Sequence, residues 1–133
     1  MSDIVILNAY RTPIGSFNGY FKEIATPLLG AAVIKACYEK AGLGTDKIDA
    51  VNMGCVLSAG LGQAPARQAA LHAQLSVNTP CITINKMCAS ALQAIITAHD
   101  SIKAGSHNIV IAGGMENMTR APYLIPKARF GYR

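Results

Sequence analysis

A chain of 133 residues, 51% hydrophobic and only 14% charged, suffices for one domain with a real core and is too apolar for a disordered segment. Its net charge of +5 is concentrated: Arg120, Lys127, Arg129 and Arg133 fall in the last 14 residues with no acidic residue among them. That leaves one net positive charge on the rest, which excludes a basic face for nucleic acid.

The chain opens with Met-Ser-Asp, without the basic-then-apolar pattern of a signal peptide, and no run reaches transmembrane length. No membrane association is expected, and the expected compartment is the reducing cytoplasm with all four thiols free. Those cysteines, at 37, 55, 81 and 88, form no Cys-x-x-Cys pair and have no histidine at ligand spacing, so no metal site is expected.

Residues 4–7 are a continuous apolar run, which predicts a strand covered on both faces. Residues 8–20, rich in Gly, Asn and Pro, read as a loop around Arg11-Thr12-Pro13. Thr26-Pro27 marks a helix start, Thr26 as N-cap and Pro27 at the first helical position, and Gly42 marks its end. Leu29, Val33, Ala36 and Cys37 share one face of that helix, which reads Cys37 as core. Residues 50–57 predict a second strand. The following Gly60-Leu61-Gly62 has Pro65 where a dinucleotide fingerprint needs its third glycine, so nucleotide binding is discounted there. Pro65 opens a short helix over residues 66–73 with Arg67, Gln68 and His72. Residues 109–112 read as a last strand, broken by Gly113-Gly114. Residues 119–133 lose periodicity and read as an excursion, mobile or held by another chain. Strands alternating with helices in this way indicate an α/β protein with a mostly parallel sheet and helices packed on it.

Residues 81–104 dominate this pattern: a β-branched strand over 81–84, a corner, then a helix over 89–103 without Gly or Pro. Apolar residues cover nearly its whole circumference, so it is expected to be a buried central helix. Cys88 falls at its first turn. Helix N-termini carry unpaired N–H groups and partial positive charge, which favour a thiolate. Lys86 is expected to add a nearby cation, and small Ala89, Ser90 and Ala91 leave room for a substrate. That is the setting of a nucleophilic cysteine, set against the plainer reading of a small buried thiol.

Four segments together carry a resemblance: Arg11-Thr12-Pro13-Ile14-Gly15; Gly62-Gln63-Ala64-Pro65-Ala66-Arg67-Gln68; Asn85-Lys86-Met87-Cys88-Ala89-Ser90-Ala91; and Gly113-Gly114-Met115-Glu116-Asn117-Met118. In this order they resemble the thiolase family, on its biosynthetic, acetyl-CoA acetyltransferase side. The resemblance implies a thiolase-like fold, of which residues 1–118 form the N-terminal half-domain and 119–133 the start of an inserted loop domain. It implies that Cys88 takes an acyl group from an acyl-CoA as a thioester. A second acetyl-CoA, after loss of an α-proton, then attacks that thioester to give a 3-ketoacyl-CoA. It also implies coenzyme A thioesters as substrates, no bound cofactor, and either a homo-oligomer or pairing with a C-terminal half.

In the family, the histidine and second cysteine that serve the proton transfers lie in that half, and no Gly-His-Pro or Cys-x-Gly occurs here. His99 cannot replace them, since 11 residues along a helix place it about 16 Å from Cys88. His107 lies beyond the far end, and His72 is left open by spacing. The alternatives to an enzyme half are a non-catalytic structural or interaction module, and a related condensing enzyme of the ketoacyl synthase type. On either catalytic reading, the isolated chain is expected not to turn over.

Overall fold

Three short runs pair as parallel strands, β1 (Ala50–Gly54), β2 (Cys81–Ile84) and β3 (Val110–Gly114), in the order β2-β1-β3. The computed structural model describes residues 3–132. Val51 stands opposite Cys81 and Ile111, and Gly54 opposite Ile84 and Gly114. β1 is buried along its whole length, as a strand with neighbours on both sides and helices on both faces must be.

Side chains alternate across a strand, so β1 sends Val51 and Met53 to one face and Ala50, Asn52 and Gly54 to the other. The first face meets α1 (Thr26–Lys40) and α2 (Pro65–His72), where Ile34, Tyr38, Ala69 and Met115 close a continuous apolar core. The second face meets α3 (Ser90–Lys103), which lays Ser90, Ala94 and Ala98 on the sheet. The result is an α/β unit with a helical layer on each side of a parallel sheet. At the lower end, the Asp49 carboxylate accepts the N–H groups of Asn108 (2.6 Å) and Ile109 (3.0 Å), joining the start of β1 to the start of β3. These bonds hold its carboxyl below the usual range.

Several expectations change. Residues 4–7 form no strand and are largely exposed, with Ile6 82% accessible, because no strand of the described chain lies beside them. β1 ends at Gly54 rather than at residue 57: the Cys55 N–H still reaches the Ile84 carbonyl, but Glu116 takes the N–H groups of Val56 and Leu57. β3 runs through Gly113 and Gly114 instead of breaking there, with both glycines paired to β1. In α1 the N-cap is Ala25, and Thr26 lies buried inside the first turn without a capping bond. The core face of α1 is Gly30, Ala31, Ile34 and Tyr38, since Gly30 lets the helix close on Met115 and Ala69. Cys37 is therefore half-buried rather than central. α3 is covered along one stripe only; Leu92, Ile95 and Ile96 are exposed.

The glycines at the upper end set the position of α3. A Cβ on Gly54 would lie 2.7 Å from the backbone of Ser90 and Ala91, and one on Gly114 would lie 2.8 Å from Ala91 Cβ. Both contacts are far inside van der Waals range, and the first is with backbone that cannot rotate away. Gly54→Ala is expected to cost about 1–3 kcal/mol as α3 is forced off the sheet. Gly113→Ala, whose Cβ would meet Met53 Sδ at 3.7 Å, is expected to be nearly neutral. Urea midpoints of the two variants test this, and equal losses would contradict the packing account.

Candidate active site

After β2 the chain turns sharply before α3 begins at Ser90. Asn85 Oδ1 accepts the N–H of Met87 (3.1 Å), the local bond by which asparagine builds a turn. Met87 adopts φ +50°, a left-handed conformation that costs a residue with a side chain about 1–2 kcal/mol. Ser90 bolts the turn from the helix side: its Oγ accepts the Lys86 N–H (2.8 Å) and donates to the Met87 carbonyl (2.6 Å). Cys88 follows Met87 and precedes the N-cap Ala89, so it sits just outside the helix rather than in its first turn. Its thiol is exposed, whereas Cys55 is buried and Cys37 and Cys81 are half-buried.

Cys88 opens into a cleft of about 560 Å³. One wall is the turn and the first turn of α3, a second is the corner at residues 54–57, and a third is the end of β3 at residues 114–118. The cleft lies beyond the carboxyl ends of parallel strands, where open α/β sheets place their sites. Exposed Met87, Leu57 and Met118 make its lining largely apolar.

Glu116 supplies the polar wall. Its carboxylate accepts the N–H of Val56 (2.8 Å) and of Leu57 (3.3 Å), and the Cys55 thiol donates to it at 3.9 Å. Burial, and then the negative charge of Glu116, push the Cys55 thiol up to about 11. Burial also raises Cys37 and Cys81, the latter against the opposing pull of Arg67. Sequence reasoning assigned no role to Glu116; the available signal was its place two residues beyond the glycines that end β3.

The other candidates fall elsewhere. The Lys86 ammonium reaches along α3 to Gln93 Oε1 (2.7 Å), so it is spent on the helix surface rather than aimed at the thiol. His72 closes α2, whose chain direction carries it back toward the opposite end of the sheet, and it does not line the cleft. His99 is exposed, 3.1 Å from Asp100. Arg67 donates to the carbonyls of Thr79 (2.9 Å) and Val77 (2.6 Å), and Gln68 donates to those of Leu61 and Gln63. The segment at 62–68 is therefore a brace for loops. Asn117 likewise clamps the carbonyls of Phe21 (2.7 Å) and Ile24 (2.8 Å). Among the described residues no group of His, Cys, Asp or Glu is gathered as a metal site, and no helix is long and apolar enough to cross a membrane.

A family profile described as thiolase, N-terminal domain, matches residues 4–133. An acetyl-CoA acetyltransferase of Cupriavidus necator is 50% identical across the whole chain, and one of Pseudomonas aeruginosa is 48% identical. A mitochondrial acetyl-CoA acetyltransferase of Xenopus laevis is 44% identical over 99% of the chain. The chain spans 34% of each bacterial relative and 31% of the Xenopus protein. A solved structure of the Acat5 thiolase from Ascaris suum in complex with coenzyme A superposes with a TM-score of 0.89 at 39% identity, covering 91% of this chain and 32% of that one.

Two predictions follow from the thiols. Limited iodoacetamide treatment at neutral pH is expected to modify Cys88 first, as the exposed thiol, while burial keeps the other three protonated. Peptide mapping reads the order, and earlier labelling of Cys37, Cys55 or Cys81 would contradict it. Because the folded Cys55 thiol titrates above its unfolded value, its contribution to stability is complete below about pH 9 and is lost as pH rises through about 11. Urea midpoints measured from pH 8 to 11 should fall, and Cys55→Ser should flatten that fall; an unchanged slope would refute the assignment.

Proposed function

The chain belongs to the thiolase family, and on that premise we propose that Cys88 is its acyl acceptor. The supporting observation is an exposed thiol at the mouth of a helix N-terminus, opening into an apolar cleft beyond the ends of parallel strands. In the first half-reaction the Cys88 thiolate attacks the thioester carbonyl of an acyl-CoA, and the coenzyme A thiolate leaves and takes up a proton. In the second, the α-carbon of another acetyl-CoA, after giving up a proton, attacks the acyl-Cys88 carbonyl. A carbon–carbon bond forms, the Cys88 sulfur leaves with the bonding pair, and the product is a 3-ketoacyl-CoA. Run backwards, the same steps are thiolysis.

The residues of this chain supply part of that chemistry. The first turn of α3 presents N–H groups and the positive end of the helix dipole where negative charge develops. The largely apolar lining of the cleft, with Met87 and Met118, offers a surface for the acyl chain of a thioester. No side chain of the described residues stands in the cleft as a base for the α-proton: His72 and His99 are remote, and Glu116 is committed to two backbone N–H groups. Turnover on this reading requires groups beyond the chain, consistent with a length about one third that of its relatives.

The exposed apolar stripe of α3, Leu92, Ile95 and Ile96, together with residues 4–7, is surface for that further partner: a C-terminal half of the same fold or a second copy. Residues 119–133 are read as the start of an inserted loop domain. Free thiols support a reducing, cytoplasmic setting. The same exposed surfaces favour the second reading, a fragment that contributes an interface without turnover.

Intact mass after incubation with acetyl-CoA decides between them. One acetyl adduct is expected, mapped to Cys88 and absent from Cys88→Ala, with no thiolysis of acetoacetyl-CoA by the chain alone. No adduct would remove the acyl-acceptor reading, and thiolysis abolished by Cys88→Ala would show that the chain holds its own base.

A further inference from the structure

We propose that Glu116 is a positioning residue for Cys88: its carboxylate fixes the corner after β1, and that corner, through Asn85, holds the left-handed turn that presents the thiol. The inference rests on Cys88 as the acyl acceptor.

The connection is continuous. Glu116 stands just past the end of β3 and takes the N–H groups of Val56 and Leu57, so the chain leaves β1 in a corner instead of extending the strand. The corner is held on its other side by ladder-like bonds, Cys55 N–H to the Ile84 carbonyl (3.0 Å) and Met115 N–H to the Gly54 carbonyl (2.9 Å). The outward carbonyl of Val56 then accepts Asn85 Nδ2 (3.4 Å). The same amide uses its Oδ1 on the Met87 N–H (3.1 Å), the bond that bends the chain into φ +50° one residue before Cys88. Asn85 thus faces the corner with its donor and the strained turn with its acceptor. A left-handed Met has no intrinsic reason to persist; it persists where surrounding bonds over-determine it. Ser90 secures the turn from α3, and the Glu116–corner–Asn85 chain secures it from the sheet. An acceptor that serves two successive backbone N–H groups suits a carboxylate, whereas an amide offers only one oxygen.

The test uses the whole 133-residue chain and follows modification of Cys88 by acetyl-CoA and, separately, by iodoacetamide, each mapped by mass. Glu116→Ala and Asn85→Ala are each expected to slow Cys88 acetylation about tenfold, since small displacements of a reacting group carry rate penalties of this order. Glu116→Gln, which keeps only one of the two acceptor oxygens, is expected to recover part of the rate and remain about threefold slower than the parent. The double variant Glu116→Ala/Asn85→Ala is expected to be no more than about twofold slower than the slower single variant, because both act through one chain of bonds. Thermal midpoints report whether each variant is folded; should Glu116→Ala not fold, the Glu116→Gln and Asn85→Ala pair with their double carries the comparison. Rates within twofold of the parent for Glu116→Ala, or single effects that multiply in the double variant, would overturn the proposal. If the parent chain takes no acetyl group, the acyl-acceptor reading fails, and the iodoacetamide arm still decides positioning by the same pattern of rescue and coupling.

Discussion

The close approach of α3 to the upper end of the sheet is the constraint on which the site depends. Gly54 and Gly114 are paired across β1 and β3, and together they leave a bare patch of backbone where the first turn of α3 seats at Ser90 and Ala91. Side chains at those two positions would hold the helix away, and the turn that carries Cys88 would move with it. Glycine usually weakens a strand, having no side chain to pack and more backbone freedom to lose. Here the loss is offset by burial of Ser90, Ala94 and Ala98 against the sheet.

From that seat the local chemistry follows by short steps. Ser90 is buried because the helix is close, and its hydroxyl is therefore available to hold Lys86 and Met87 rather than water. Cys88 is left at the rim, exposed and next to the helix N-terminus, while Cys55 a short distance below is buried beside a carboxylate. Two thiols that share a cleft thus differ in environment for physical reasons that neither side chain carries in itself. Desolvation and a neighbouring negative charge both oppose ionisation of Cys55.

The remaining surface is unusually apolar. Residues 4–7 lie open, and α3 presents Leu92, Ile95 and Ile96 on the side turned away from the sheet. Isolated exposed leucines and isoleucines are ordinary on proteins, whereas adjacent ones on one segment and along a helix stripe make contiguous apolar surface. Leaving such surface in water forgoes about 25 cal/mol for each Å².

The order of elements and their polarity toward one another were legible in the residues alone. β2 occupies residues 81–84 as its β-branched run implies, Pro65 opens α2, and α3 runs to Lys103 because nothing between Ser90 and that point interrupts a helix. Cys88 stood out because the transition from strand to helix falls on it, and transitions of that kind depend on local sequence. Residues 4–7 form no strand for the complementary reason: an apolar run carries no information about which strand, if any, lies beside it. β1 is shorter than its apolar run and β3 longer because their ends are set by Glu116, and by the pairing of Gly113 and Gly114 with Met53 and Gly54, contacts across about sixty residues. The same distance hid the role of Glu116, whereas Lys86 turns toward Gln93 instead of Cys88 through a local contact seven residues along the chain. Sequence by itself determined where β2, α2 and α3 lie and which thiol stands at a helix start, because periodicity and turn chemistry are local. Only the tertiary structure decided which groups surround that thiol, because a hydrogen bond between distant residues exists only once the sheet has brought their backbones together.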